Sequence, residues 1–172
     1  DITGIGSISG PVQLCANATG TYTVAQGTNI SAYTWEVPTG WTIVSGQGTT
    51  EIKVKAGTVS GSVKLVASND CGNVTVSKAV EINTEVPASP GAITGNASGC
   101  SGSTQKYSIA QAVSGVSYTW SVPQGWVITK GQGTAEIEVK AGDNSGEVKV
   151  TATNACGNSS ASSTKTITIT SS

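Results

Sequence analysis

The chain has 172 residues, a net charge of −1 and only 11% charged residues, against roughly a quarter in an average soluble domain. Such a balance excludes the long-range field that steers a protein to nucleic acid or to an anionic membrane surface, so neither nucleic-acid binding nor membrane insertion is expected. Hydrophobic residues at 37% exclude a disordered chain, and no apolar run approaches the roughly 18 residues of a membrane helix. The chain begins at Asp1 with no recognisable signal peptide, which reads as a mature or excised fragment whose export signal and anchor are expected elsewhere or already removed.

Taken in order, residues 8–14 predict an opening edge strand interrupted by Gly10-Pro11. Residues 20–25 predict a second strand with Tyr22 and Val24 facing inward. The third carries Tyr33, Trp35 and Val37 in alternation with Thr34 and Glu36, so three large apolar groups leave one face and polar groups the other. Pro38 and Gly40 then turn the chain, and Trp41 opens a fourth strand through Ser45. Gly46-Gln47-Gly48 reverses the chain into the clean alternation of residues 51–55. Gly57 and Gly61 mark the turn before the strand at 62–67, and a last strand is expected over residues 74–82. Seven short strands at about ten-residue spacing, with no helical period anywhere, predict an all-β fold of immunoglobulin-like sandwich type.

The pattern occurs twice. At an offset of 85 residues Cys15 meets Cys100, Tyr22 meets Tyr107, Trp35 meets Trp120, Gly46-Gln47-Gly48-Thr49 meets Gly131-Gln132-Gly133-Thr134, and Cys71 meets Cys156, without a gap. Two copies with the same backbone are therefore expected, as domains 1–86 and 87–172. The joining segment, residues 85–91, carries Pro87 and Pro90 and reads as a short, stiff linker holding the modules end to end in an elongated particle.

The Tyr-x-Trp strand, the Gly61-x-Val63-x-Leu65-x-Ala67 strand and the Asn69-x-Cys71-Gly72 ending, with their second-copy counterparts, resemble the PKD-like immunoglobulin-fold repeats of large bacterial surface and secreted proteins, many exported through the type IX system. The resemblance covers nearly the whole chain. It implies an extracellular, non-catalytic module within a larger protein. One departure stands out: ordinary PKD domains follow the tryptophan with an Asp-Phe-Gly-Asp-Gly type of turn, whereas here the residues are Glu36-Val37-Pro38-Thr39-Gly40.

Four cysteines without a histidine, never spaced Cys-x-x-Cys, argue against zinc. In an exported protein the default is two disulfides, and the matched positions favour Cys15 with Cys71 and Cys100 with Cys156. Each would close a loop of more than fifty residues, which the chain-entropy account values at roughly 4 kcal/mol. Sandwich topology raises an objection, because the two cysteines of a copy fall toward opposite ends, and a bond between Cys15 and Cys156 stays open as the alternative.

Candidate sites are few. Tyr33, Trp35, Tyr118 and Trp120 occupy the inward phase of their strands and read as core; Trp41 and Trp126, which open a strand beside a turn, read first as core with partial exposure, and they are the candidates for a carbohydrate-stacking surface if the chain has one. The Gly-Gln-Gly segments lack the lysine and following helix of a phosphate loop and read as hairpin turns. Carboxylates are sparse and no calcium-loop motif occurs, which leaves Asp143 with nearby carbonyls as the candidate for a weak calcium site. The sequons at Asn17, Asn29, Asn73, Asn96 and Asn158 are formal N-glycosylation sites. With no histidine and no Gly-x-Ser-x-Gly elbow, neither enzymatic activity nor a cofactor is expected. The sequence therefore predicts a structural or adhesive extracellular spacer whose partners are neighbouring domains, a polysaccharide or other cell-surface ligand, or further copies of itself. A carbohydrate-binding accessory module of a secreted enzyme is one alternative. The other is a filament subunit that would use the alternating strand at residues 164–170.

Overall fold

Period-two alternation builds the main strands, and glycine and proline set where each ends. In the computed structural model, which describes residues 1–170, one unit spans Asp1–Glu85 and a second begins at Val86. Residues 171 and 172, the end of the expected second module, lie outside the described residues.

The first unit contains β1 (Gln13–Cys15), β2 (Thr19–Thr23), β3 (Ala32–Glu36), β4 (Thr42–Ser45), β5 (Glu51–Lys55), β6 (Gly61–Asn69) and β7 (Gly72–Asn83). They form two sheets, ordered β1-β7-β6-β3 and β2-β5-β4. The inward-pointing residues of both meet in one core, with Tyr22, Ile52 and Val54 from the smaller sheet packed on Trp35, Val63 and Leu65 from the larger. The second unit repeats this with β8 (Ile93–Thr94), β9 (Ser98–Cys100), β10 (Thr104–Ile109), β11 (Ser117–Ser121), β12 (Val127–Lys130), β13 (Glu136–Lys140), β14 (Gly146–Asn154), β15 (Gly157–Asn158) and β16 (Ser163–Thr170). Its sheets run β12-β13-β10-β8 and β11-β14-β16-β9, with β15 on β14. Its own core centres on Tyr107, Trp120, Ile137 and Val150.

The opening strand expected over residues 8–14 is two pieces on different sheets. Ser9 bridges Thr23 beside β2, and after Gly10-Pro11 the chain crosses over to pair in parallel with β7. Pro11 has no N–H to continue the first ladder. Gly10 permits the step because it lies at φ 148° directly on the Tyr22 ring, where an added Cβ would sit 2.5 Å from Cδ1.

The gapless offset also fails in one place, the last strand. Through the turn it holds, since Asn69 pairs with Gly72 and Asn154 with Gly157. Beyond it, Val63 faces Lys78 whereas Val148 faces Lys165, and Gly61 faces Val80 whereas Gly146 faces Ile167. Lys78 thus corresponds to Lys165 and Val80 to Ile167, an offset of 87 residues. The two extra residues are absorbed between Asn158 and Ser163, where the second copy has Ser159-Ser160-Ala161-Ser162 in place of Val74-Thr75. Valine suits a pleated ladder, while serine bonds to nearby backbone instead. Ser159 does so, its hydroxyl donating to the Ala161 carbonyl at 2.8 Å.

Candidate functional site: the tryptophan strands and the cysteines

Trp35 and Trp120 sit on β3 and β11, the outermost strands of the larger sheets, and each is 2% exposed. Their indole N–H groups donate to the carbonyls of Thr49 and Thr134, both at 2.8 Å. The glutamine of each Gly-Gln-Gly turn completes the arrangement. Trp35 N donates to Gln47 Oε1 at 2.8 Å, and Gln47 Nε2 donates back to the Trp35 carbonyl at 2.9 Å. Trp120 and Gln132 repeat both bonds at 2.8 Å. A side-chain amide carries the same donor and acceptor as a peptide group, so at Trp35 and Trp120 the glutamine stands in for a neighbouring backbone on the outer side of the strand.

This turn belongs to the smaller sheet, between β4 and β5, and it reaches the edge of the larger one. Gly46 enables it: at φ 90° it passes so close to the Glu51 carbonyl that no Cβ fits. The turn is legible in the sequence, whereas the role of its glutamine is not. The available signal was an identical tetrapeptide in both copies, with a glutamine that no turn geometry demands.

Trp41 and Trp126 do not form a carbohydrate platform. They are 7% and 6% exposed, and their indole N–H groups donate to the carbonyls of Val59 at 3.0 Å and Asn144 at 2.9 Å. The connection between β5 and β6, and its counterpart between β13 and β14, folds over each ring, leaving no open face on which a sugar could stack. Tyr118 is buried and Tyr33 only partly so. Both phenol oxygens accept backbone N–H bonds, Tyr118 from Val113 at 3.0 Å and Tyr33 from Gly27 at 3.4 Å. Burial pushes the Tyr22 phenol up to about 12 and raises that of Tyr107 as well.

The within-copy disulfides are overturned. Cys15 and Cys156 are disulfide-bonded, whereas Cys71 and Cys100 are free, exposed thiols. Cys15 pairs with Asn83 at one end of β7, while Cys71 lies in the turn before Gly72 at the other end. At about 3.3 Å per residue that strand is roughly 36 Å long, and a disulfide needs Cα atoms within about 7 Å. In the second copy Cys100 pairs with Thr170, beyond the Gly146 end of β14, and Cys156 follows its Asn154 end.

Asp143 accepts a hydrogen bond from the Ser101 hydroxyl, and among the described residues no three histidine, cysteine, aspartate or glutamate side chains cluster as metal ligands. No helix of the described residues is long and apolar enough to cross a membrane. The motif residues thus spend their polar groups on the fold itself.

Two facing sheets in each unit, with the first and last strands parallel neighbours in the larger one, define a tandem pair of immunoglobulin-like β-sandwiches. The model of the PKD-like domain matches residues 2–82 and again 86–167. The chain belongs to the PKD-like domain family and carries two copies of the domain. Among solved structures it is similar to murine CEACAM1b at 11% identity and a TM-score of 0.44, over 99% of this chain and 100% of that one. It is also similar to an I-band fragment of titin (14%, TM-score 0.39, 96% of this chain and 66% of that one) and to extracellular domains 3–5 of Drosophila OTK (13%, 0.44, 96% and 63%). A comparison with curated proteins found no match.

Proposed function

We propose that the chain is a non-catalytic, load-bearing spacer, a stretch of a larger secreted or cell-surface protein, in keeping with the bacterial repeats its motifs resemble. The observation that carries this reading is the parallel pairing, in each module, of the first and last strands of the larger sheet. Gln13, Leu14 and Cys15 lie beside Glu81, Ile82 and Asn83, and Ser98, Gly99 and Cys100 beside Thr168, Ile169 and Thr170. In a parallel pair the chain enters one strand and leaves the other at opposite ends, so tension on the module loads these backbone bonds together, in shear, instead of one at a time. Disulfide-bonded cysteines support an oxidising, extracellular setting.

Single-molecule stretching of the chain with its disulfides reduced tests the proposal. Two force peaks are expected, one per module. Ala16→Pro removes the N–H that donates to the Asn83 carbonyl at 2.8 Å and should lower the peak of the first module alone. Extension without peaks, or an unchanged first peak in that variant, would end the reading.

A further inference from the structure

Each module has two cysteine positions, one closing the first strand of the larger sheet (Cys15, Cys100) and one in the turn after β6 or β14 (Cys71, Cys156). The turn position has the same local geometry in both copies. The Cys71 amide donates to Asn69 Oδ1 and the Cys156 amide to Asn154 Oδ1, each at 2.8 Å. Yet Cys156 is disulfide-bonded and Cys71 is not, while Cys15 is bonded and its counterpart Cys100 is not. Cys15 is bonded although the other cysteine of its own module is free, and the same holds for Cys156. Neither position is therefore built to bond within its module.

The internal repeat serves as its own comparison: the two positions that are bonded in one copy stand exposed and unbonded in the other. We propose that Cys71 and Cys100 are junction thiols, and that Cys71 of one chain and Cys100 of a second copy of this chain form a disulfide, linking modules into a covalent series. The two free positions are of opposite type, one turn cysteine and one strand-end cysteine, so the link is head-to-tail and each joined chain still presents one free position of each type for the next. Cys71 opens onto a shallow groove walled by Asp1, Ile2, Asn69 and Val74, which leaves its sulfur open to an incoming strand end.

Bond formation requires an oxidant, here a small-molecule disulfide such as oxidised glutathione. The thiolate of one cysteine attacks it, forming a mixed disulfide and expelling one glutathione thiolate. The second cysteine's thiolate then attacks the protein sulfur and expels the other. Two protein thiols lose two electrons and two protons, and one glutathione disulfide becomes two thiols.

The test incubates the folded chain, Cys71→Ser, Cys100→Ser and an equimolar mixture of the two variants with oxidised glutathione, followed by non-reducing electrophoresis and peptide mapping. The unaltered chain should give a ladder. Each variant alone should remain monomeric, and the mixture should give a dimer whose cross-linked peptides contain Cys71 and Cys100. Circular dichroism of each variant checks that the exposed substitution leaves the fold intact. Monomers throughout, equal dimerisation of either variant alone, or linkages through Cys15 or Cys156 would overturn the proposal. Because the stretching experiment is done on reduced protein, either idea can fail without the other.

Discussion

At Trp35 two backbone groups on the outer side of β3 are met by one glutamine side chain, and at Trp120 the same holds. Removing that amide leaves a donor and an acceptor of a part-buried strand without their partners. Gln47→Ala and Gln132→Ala are each expected to destabilise the chain by about 1–2 kcal/mol, measured by urea unfolding. Gln47→Glu should cost more than alanine, since a carboxylate can accept from Trp35 N but turns a second acceptor toward the Trp35 carbonyl. Tyr22 makes a different prediction. Its phenol is buried and held up to about 12 against an ordinary 10.0, so the folded state keeps a proton that the unfolded chain loses first. Its contribution is fully present below pH 10, and stability falls as pH rises from 10 toward 12. Urea unfolding across that range, with Cys71 and Cys100 alkylated, should show the decline. Tyr22→Phe should make it shallower.

Among the elements, the last strand shows how register is chosen. A strand has period two, so only an even shift keeps the inward face inward. The second copy has Lys165 where a constant offset would require the counterpart of Val80, and a two-residue slide puts Ile167 into that core position instead. Ile167 is fully buried. Ile167→Ala should therefore cost about 2–5 kcal/mol, whereas Lys165→Ala should stay within about 0.5 kcal/mol. Thermal or urea unfolding of the two variants separates the observed register from the gapless one, which would reverse their order.

For the molecule as a whole, strand β16 bears on whether modules join by exchanging strands. It is paired on both sides, antiparallel with β14 and in parallel with β9, so its ladder groups are engaged within its own sandwich. Assembly by strand donation would have to break those pairs, whereas assembly through Cys71 and Cys100 breaks none. Accordingly, the reduced chain should sediment as a monomer at every concentration, and reductant should collapse the glutathione ladder to that species.

Alternation, turn residues and the internal repeat were sufficient by themselves to give an all-β chain, its main strands and the inward phase of Tyr22, Trp35 and Trp120, because these are local properties with a period of two. The tertiary structure decided everything that depends on which distant segments meet. A connection closing over Trp41 and Trp126 turned candidate sugar contacts into core. The length of β7 separated Cys15 from Cys71, and the reach of Gln47 from one sheet to the edge of the other gave a repeated turn residue its purpose. A one-dimensional pattern states which face a side chain takes, but the distance between two residues far apart in the chain is set only when the sheets have packed.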